Sequence, residues 1–133
     1  MIKGLDHVAV AVRDLDEAVE LYCRVLGFRL RGRETVSSQR VEVAFLEAGG
    51  FCLELVSPVD ADSPVARFLE RRGEGMHHVS LEVEDVEAAL ARARAAGCRL
   101  VDERPREGAE GKLVAFLHPK SLKGVLVELC TRR

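Results

Sequence analysis

One stretch of this chain occurs twice, and the duplication limits the fold more than any other feature. DHVAVAV (Asp6–Val12) returns as HHVSLEV (His77–Val83), which aligns His7 with His78, 71 residues apart. VAFL stands at Val43–Leu46 and again at Val114–Leu117, also 71 apart. CLELV (Cys52–Val56) returns as LVELC (Leu126–Cys130), aligning Glu54 with Glu128 at a separation of 74. A tandem repeat of this length predicts two copies of one supersecondary unit, each too small to be comfortable alone. Two His and two Glu at equivalent places are also the donor set that a divalent metal site between pseudo-symmetric halves requires.

Each copy reads as βαβββ. In the first, His7–Val12 alternates as a strand and Asp14 caps a helix, with Glu17 three residues on. Ala18, Val19, Leu21, Tyr22 and Val25 supply the helix's apolar stripe, and Gly27 ends it. Phe28–Arg31, Arg40–Leu46 and Phe51–Val56 follow as strands, the last two joined by a Gly49-Gly50 turn. The second copy has a strand at His78–Val83 and a helix from Asp85 to Gly97. Its later strands are expected at Arg99–Asp102, Lys112–Leu117 and Gly124–Cys130. Between the copies, Ser63-Pro64 opens a linker helix, Ser as cap and Pro at the first helical position. The expected class is α+β, a single domain over 1–133 with module one at 1–58, linker helix at 59–73 and module two at 74–133. The two modules are expected to form one half-open, barrel-like cleft.

Composition narrows the partners. A hydrophobic fraction of 47% beside 32% charged residues describes a folded globular chain. The net charge of -2 gives no basic surface, so nucleic acid is not an expected partner. No apolar run approaches the roughly 20 residues that span a bilayer, so no membrane is expected either. MIKGLDHVAV runs straight into a strand pattern, without a cleavable signal. Cys23, Cys52, Cys98 and Cys130 show no CxxC spacing and sit among apolar residues, as reduced thiols in a cytoplasmic protein do.

Strand parity assigns the faces. Val8, Val10 and Val12 point to the helix, which leaves His7, Ala9 and Ala11 on the other side. Val79, Leu81 and Val83 do the same for His78, Ser80 and Glu82. Glu54 and Glu128 lie opposite their bulky neighbours, Leu53 and Leu55 in one copy, Val127 and Leu129 in the other. A carboxylate within an apolar strand is costly unless paired or coordinated. His77 has the wrong parity for a ligand and reads as a cap or surface residue, and His118 before Pro119 reads as a turn residue or a substrate contact. Two imidazoles and two carboxylates suit Co, Mn, Ni or Zn. They leave two of six octahedral positions open, which favours Lewis-acid chemistry over oxygen activation.

The paired modules and the His/Glu–His/Glu quartet resemble the vicinal oxygen chelate (glyoxalase-type) superfamily. Within it the chain is similar to the methylmalonyl-CoA epimerase family over nearly its whole length. The specific segments are DSPVARFL, GEGMHHVSLEV and GKLVAFLHPKSLKGVLVEL. The resemblance implies metal ligands at His7, Glu54, His78 and Glu128, one divalent ion per chain with Co2+ the first choice, and a homodimer acting on an acyl-CoA. It implies interconversion of the 2R and 2S epimers of methylmalonyl-CoA by proton transfer at C2. A family member carries a Glu on the third strand where this chain has Val43. Glu42 is adjacent, but its parity is opposite, and it would reach the cleft only through a bulge. Glu128 is therefore the first candidate base, acting also as ligand, with Glu42 the second and Glu82 in reserve. Gln39 is placed to hydrogen-bond the bound acid, while Lys120, Ser121 and Lys123 could meet the CoA phosphates.

Two other functions remain compatible with the residues. A lactoylglutathione lyase uses the same donor set on a glutathione hemithioacetal, although HPKS and DSPVA argue against it. A ligand-sequestering resistance protein of the same fold needs no metal quartet, which this chain has complete.

Overall fold

The computed structural model describes residues 1–132. The chain divides into two compact units, His7–His77, and Met1–Asp6 together with the chain from His78 onward. Strand β1 (Ile2–Ala11) contributes to both. It starts five residues before the expected His7, because Ile2–Asp6 find partners in the second unit. The Met1 carbonyl accepts from Glu84 N at 3.3 Å, and Lys3 Nζ lies 3.9 Å from a Glu82 carboxylate oxygen.

In the first unit the remaining elements are α1 (Leu15–Leu26), β2 (Arg29–Val36), β3 (Val41–Ala48), β4 (Phe51–Pro58) and α2 (Pro64–Arg72). The strand order is β2-β3-β4-β1. β2/β3 and β3/β4 run antiparallel, while β1 lies parallel to β4 with Ala9 opposite Glu54. Asp14 caps α1 by accepting from Glu17 N at 3.0 Å, and Gly27 ends the helix in the left-handed region at φ 79°. Gly49 and Gly50, both at positive φ, make the two-residue β3–β4 hairpin turn that glycine permits without Cβ strain. Ser63 and Pro64 start α2 as expected.

α1 packs Leu15 and Ala18 against Ala44, Leu46 and Leu55, with Val10, Val19 and Tyr22 at the margin. Each such Leu or Val contributes about 1.5–3 kcal/mol relative to exposure. Leu21 and Val25 do not belong to this stripe as expected; both point outward, being 46% and 59% exposed. The buried face of α1 is narrower than its sequence pattern because only one sheet face meets it. β2 is longer than Phe28–Arg31, since RLRGRETV is too polar to show as a strand. It pairs with β3 over its length, apart from an irregularity between Leu30 and Gly32. Charged side chains of this kind are typical of an edge strand.

The second unit repeats the plan with β5 (Gly75–Val83), α3 (Val86–Ala95), β6 (Arg106–Glu107), β7 (Leu113–Leu117) and β8 (Val127–Thr131), in the order β5-β8-β7-β6. The first three residues of β5 belong to the other unit. β5 and β8 are parallel, with Ser80 opposite Glu128. Asp85 caps α3 through Ala88 N at 3.1 Å, and Val86 and Leu90 pack on Ala115, Leu117 and Leu129. Arg99–Asp102 does not form the expected strand. Leu100 makes one bridge to Leu117, and the Val101 and Asp102 amides both donate to the Phe116 carbonyl. Pro105, which has no amide hydrogen, interrupts the segment before the short β6 forms. No helix among the described residues is long and apolar enough to cross a membrane.

Candidate metal centre and its surroundings

The same local plan produces each candidate ligand pair. A parallel strand pair places a small residue beside each Glu, Ala9 beside Glu54 and Ser80 beside Glu128. The antiparallel neighbour places a phenylalanine on its other side, Phe45 beside Glu54 and Phe116 beside Glu128. Each His lies two residues before the small residue, hence on the same face. All four side chains are buried, His7, Glu54, His78 and Glu128 being 3–5% exposed.

Within the first unit, His7 Nδ1 is 3.1 Å from Glu54 Oε2. Within the second, His78 Nε2 is 4.0 Å from Glu128 Oε1, beyond hydrogen-bonding range. Donors that share one ion at about 2.1 Å each stand roughly 3.0 Å apart when cis and 4.2 Å when trans, so the spacing within each pair is one that two ligands of an ion can take. Burial of a carboxylate is costly without compensating positive charge, and a divalent ion would supply it. The residues of each pair therefore fit a metal of the nitrogen- and oxygen-ligand class.

Arginines stand over both phenylalanines, Arg31 over Phe45 at 5.1 Å from the ring centroid and Arg106 over Phe116 at 5.9 Å. Asp102 ties this together in the second unit: one oxygen lies 3.3 Å from Arg106 Nε and the other accepts from Phe116 N at 2.8 Å. The sequence reading overlooked these contacts, although both phenylalanines lie in the repeated VAFL. It also overlooked Lys112, whose buried ammonium contacts Asp6 at 2.7 Å while Arg132 approaches the other Asp6 oxygen at 3.0 Å. Burial pushes the Cys130 thiol up to about 11. Ser80, its hydrogen-bond partner at 3.5 Å, works the other way, while the charges of Asp6 and Glu128 add to the rise. Cys130 is thus an inert core thiol at neutral pH.

The other expected residues take varied positions. Glu42 lies in an unbroken register, opposite Thr35 on one side and Ser57 on the other, and its carboxylate accepts from Arg33 Nη2 at 2.8 Å. Arg33 also pairs with Asp16 of α1, so this group faces the helix side of the sheet. Gln39 ends a single 3-10 turn between β2 and β3. Lys120 and Ser121 lie in the 3-10 turn Pro119–Leu122, with Lys123 in the left-handed region just after it. His118 caps this turn, its Nδ1 accepting from Lys120 N at 3.1 Å, and Ser121 Oγ accepts from Arg99 N at 2.7 Å. His77 is half-buried with its ring edge-on to Phe68. Burial lowers its pKa to about 4.

Comparison with known proteins agrees with this geometry. An ethylmalonyl-CoA/methylmalonyl-CoA epimerase of Cereibacter sphaeroides is 42% identical over 97% of this chain and 98% of its own length. The human mitochondrial methylmalonyl-CoA epimerase is 40% identical over 94% of this chain and 72% of its own. A solved structure of a Streptomyces coelicolor methylmalonyl-CoA epimerase variant with 2-nitronate-propionyl-CoA superposes with a TM-score of 0.93. It shares 37% identity and covers 98% of this chain and 95% of that one. The sequence pattern of the Glyoxalase/Bleomycin resistance protein/Dioxygenase superfamily matches residues 6–116. With its repeated βαβββ units and duplicated His–Glu pairs, the chain belongs to that superfamily.

Proposed function

We propose that this chain is a metal-dependent epimerase that interconverts (2R)- and (2S)-methylmalonyl-CoA by moving the C2 proton through an enolate. The observation that carries the reading is the buried His–Glu pair, built twice in matching registers. The names of the relatives support the same substrate class. A divalent ion held by His7, Glu54, His78 and Glu128, Co2+ first and Mn2+, Ni2+ or Zn2+ after it, would supply Lewis-acid stabilisation of the charge that develops on the thioester oxygen.

The chain's own groups do the rest. Glu128 serves as ligand and also takes or returns the C2 proton on one face. Glu42 could act only by releasing Arg33 and turning from the helix side of the sheet. Gln39 holds the free carboxylate of the substrate, and Lys120 and Ser121 receive the CoA phosphates from the turn that His118 caps. The working form is a cytoplasmic homodimer. Exposed Ile2 and Leu5 of β1, with Met1 just before them, support an apolar contact between copies.

Metal-loaded protein in deuterium oxide should incorporate deuterium at C2 of methylmalonyl-CoA and interconvert the two epimers. Absence of exchange with both methylmalonyl- and ethylmalonyl-CoA would refute the reading. Turnover of the glutathione hemithioacetal instead would favour the lyase chemistry. Light scattering tests the dimer separately, and a monomer at micromolar concentration would exclude it.

A further inference from the structure

The second unit keeps a cation on the face that carries its own His–Glu pair. Arg106 of β6 lies opposite Val114 of β7, and directly opposed residues of an antiparallel pair share a face. Val114 is two residues from Phe116, which lies opposite Glu128, so Arg106, Phe116 and Glu128 look the same way. The Arg106 guanidinium lies over the Phe116 ring, 5.9 Å from its centroid, and Asp102 engages its Nε at 3.3 Å. Ring contact and ion pair together restrict where the guanidinium can stand. Lys112, a second cation of this unit, is only 6% exposed and is bound by Asp6 and Glu110, whereas the Arg106 side chain is 32% exposed. Solvent reaches Arg106, and so can a ligand.

We infer that Arg106 selects a carboxylated acyl group, its guanidinium binding the free carboxylate of the substrate beside His78 and Glu128; this rests on the epimerase reading above. The Phe116 centroid is 5.9 Å from Arg106 Cζ and 5.1 Å from the His78 ring centre, so guanidinium and imidazole are at most about 11 Å apart. A carboxylate bound next to the imidazole, with Arg–carboxylate hydrogen bonds of about 2.8 Å, falls within that span. The CoA phosphates belong farther off, because an extended pantetheine arm puts them about 16 Å from the thioester.

Charge explains why this position carries an arginine. The acyl carboxylate approaches a face that already bears the Glu128 carboxylate, and an anion brought out of water beside another is costly unless paired. Gln39 is neutral and can offer a hydrogen bond but no charge. The guanidinium offers parallel N–H groups that match both carboxylate oxygens, and it stays protonated at any working pH. An uncharged acyl group such as propionyl gains nothing from it. Arg106 therefore discriminates by substrate charge and takes no part in the proton transfer.

Arg106→Met keeps an apolar stem over Phe116 and removes the charge, and Arg106→Gln is a second neutral variant should the first fold poorly. Calorimetry measures the binding of methylmalonyl-CoA and of propionyl-CoA, which share the whole CoA portion, to the metal-loaded proteins. The parent should prefer methylmalonyl-CoA. In Arg106→Met the dissociation constant for methylmalonyl-CoA should rise about tenfold or more, and that for propionyl-CoA should stay within about twofold, as loss of one charged hydrogen-bonding group requires. KM should rise with kcat little changed, and Arg106→Lys should recover part of the preference. Metal content and thermal midpoint should match the parent. Equal weakening of both ligands would show that Arg106 meets the CoA portion or only braces Phe116, and would overturn the assignment. So would an unchanged ratio of the two constants, or a weakening that goes with loss of the metal. A parent protein without C2 deuterium exchange would defeat the epimerase reading itself, whereas an exchanging parent whose preference survives Arg106→Met defeats Arg106 alone.

Discussion

The Phe116 ring stands perpendicular to the His78 imidazole, with 5.1 Å between their centroids. Phe116 is also the cross-strand partner of Glu128, so one aromatic side chain braces both members of the second His–Glu pair. Behind it, Arg106 covers the ring and Asp102 holds the Phe116 amide.

That arrangement predicts a cost in metal affinity when only the ring is removed. Phe116→Leu keeps an apolar side chain of similar reach but loses the edge-on contact that orients His78. Its metal dissociation constant should rise about tenfold, at the lower end of the effects seen for groups that orient ligands. Competition titration against a chromogenic chelator measures this, and unchanged affinity would show that the strand backbone alone positions His78.

Removal of metal should reveal the quartet. Parent protein should bind about one divalent ion per chain, and a strong chelator should lower its thermal midpoint by the linkage that binding implies. His78→Ala should lose most of the bound ion and become insensitive to the chelator. A chelator-sensitive midpoint in His78→Ala would contradict the assignment of His78.

Lys112 and Asp6 form a buried ion pair whose halves lie far apart in sequence. Lys112→Met leaves Asp6 dependent on the more exposed Arg132 and should destabilise the fold by about 3–5 kcal/mol. The double variant Asp6→Asn with Lys112→Met removes both charges and should recover much of that loss. Denaturant melts of the four proteins form the cycle, and strict additivity would mean the pair contributes nothing as a pair.

His77 provides a pH signature. Its pKa is about 4 in the fold against 6.5 unfolded, lowered by burial, so the folded state prefers the neutral imidazole. The associated stability is full above pH 6.5 and is lost as pH falls from 6.5 towards 4. The loss is about 1–3 kcal/mol after allowance for half-burial. His77→Phe keeps the aromatic contact to Phe68 and should flatten the stability curve across that window. A parallel curve for both proteins would place the acid sensitivity elsewhere.

The amino-acid sequence by itself determined the tandem plan, the helix caps at Asp14, Ser63 and Asp85, and the parity that buries His7, Glu54, His78 and Glu128 on one kind of face. These follow from local rules, the period-2 alternation of strands and the short-range chemistry of caps, which a linear string records. Only the tertiary structure decided the rest. It paired Lys112 with Asp6, set Phe116 against His78, and drew the polar β2 and the first residues of β1 into strands. It turned Leu21 and Val25 outward and reduced Arg99–Asp102 to a single bridge. Each of these outcomes depends on which segment lies opposite, at a sequence separation that no local period encodes. Arg106 is the clearest case. Its own strand is too short to carry an apolar pattern, so its face became defined only when the register with Val114 was formed, and with Val114 came the shared face of Glu128.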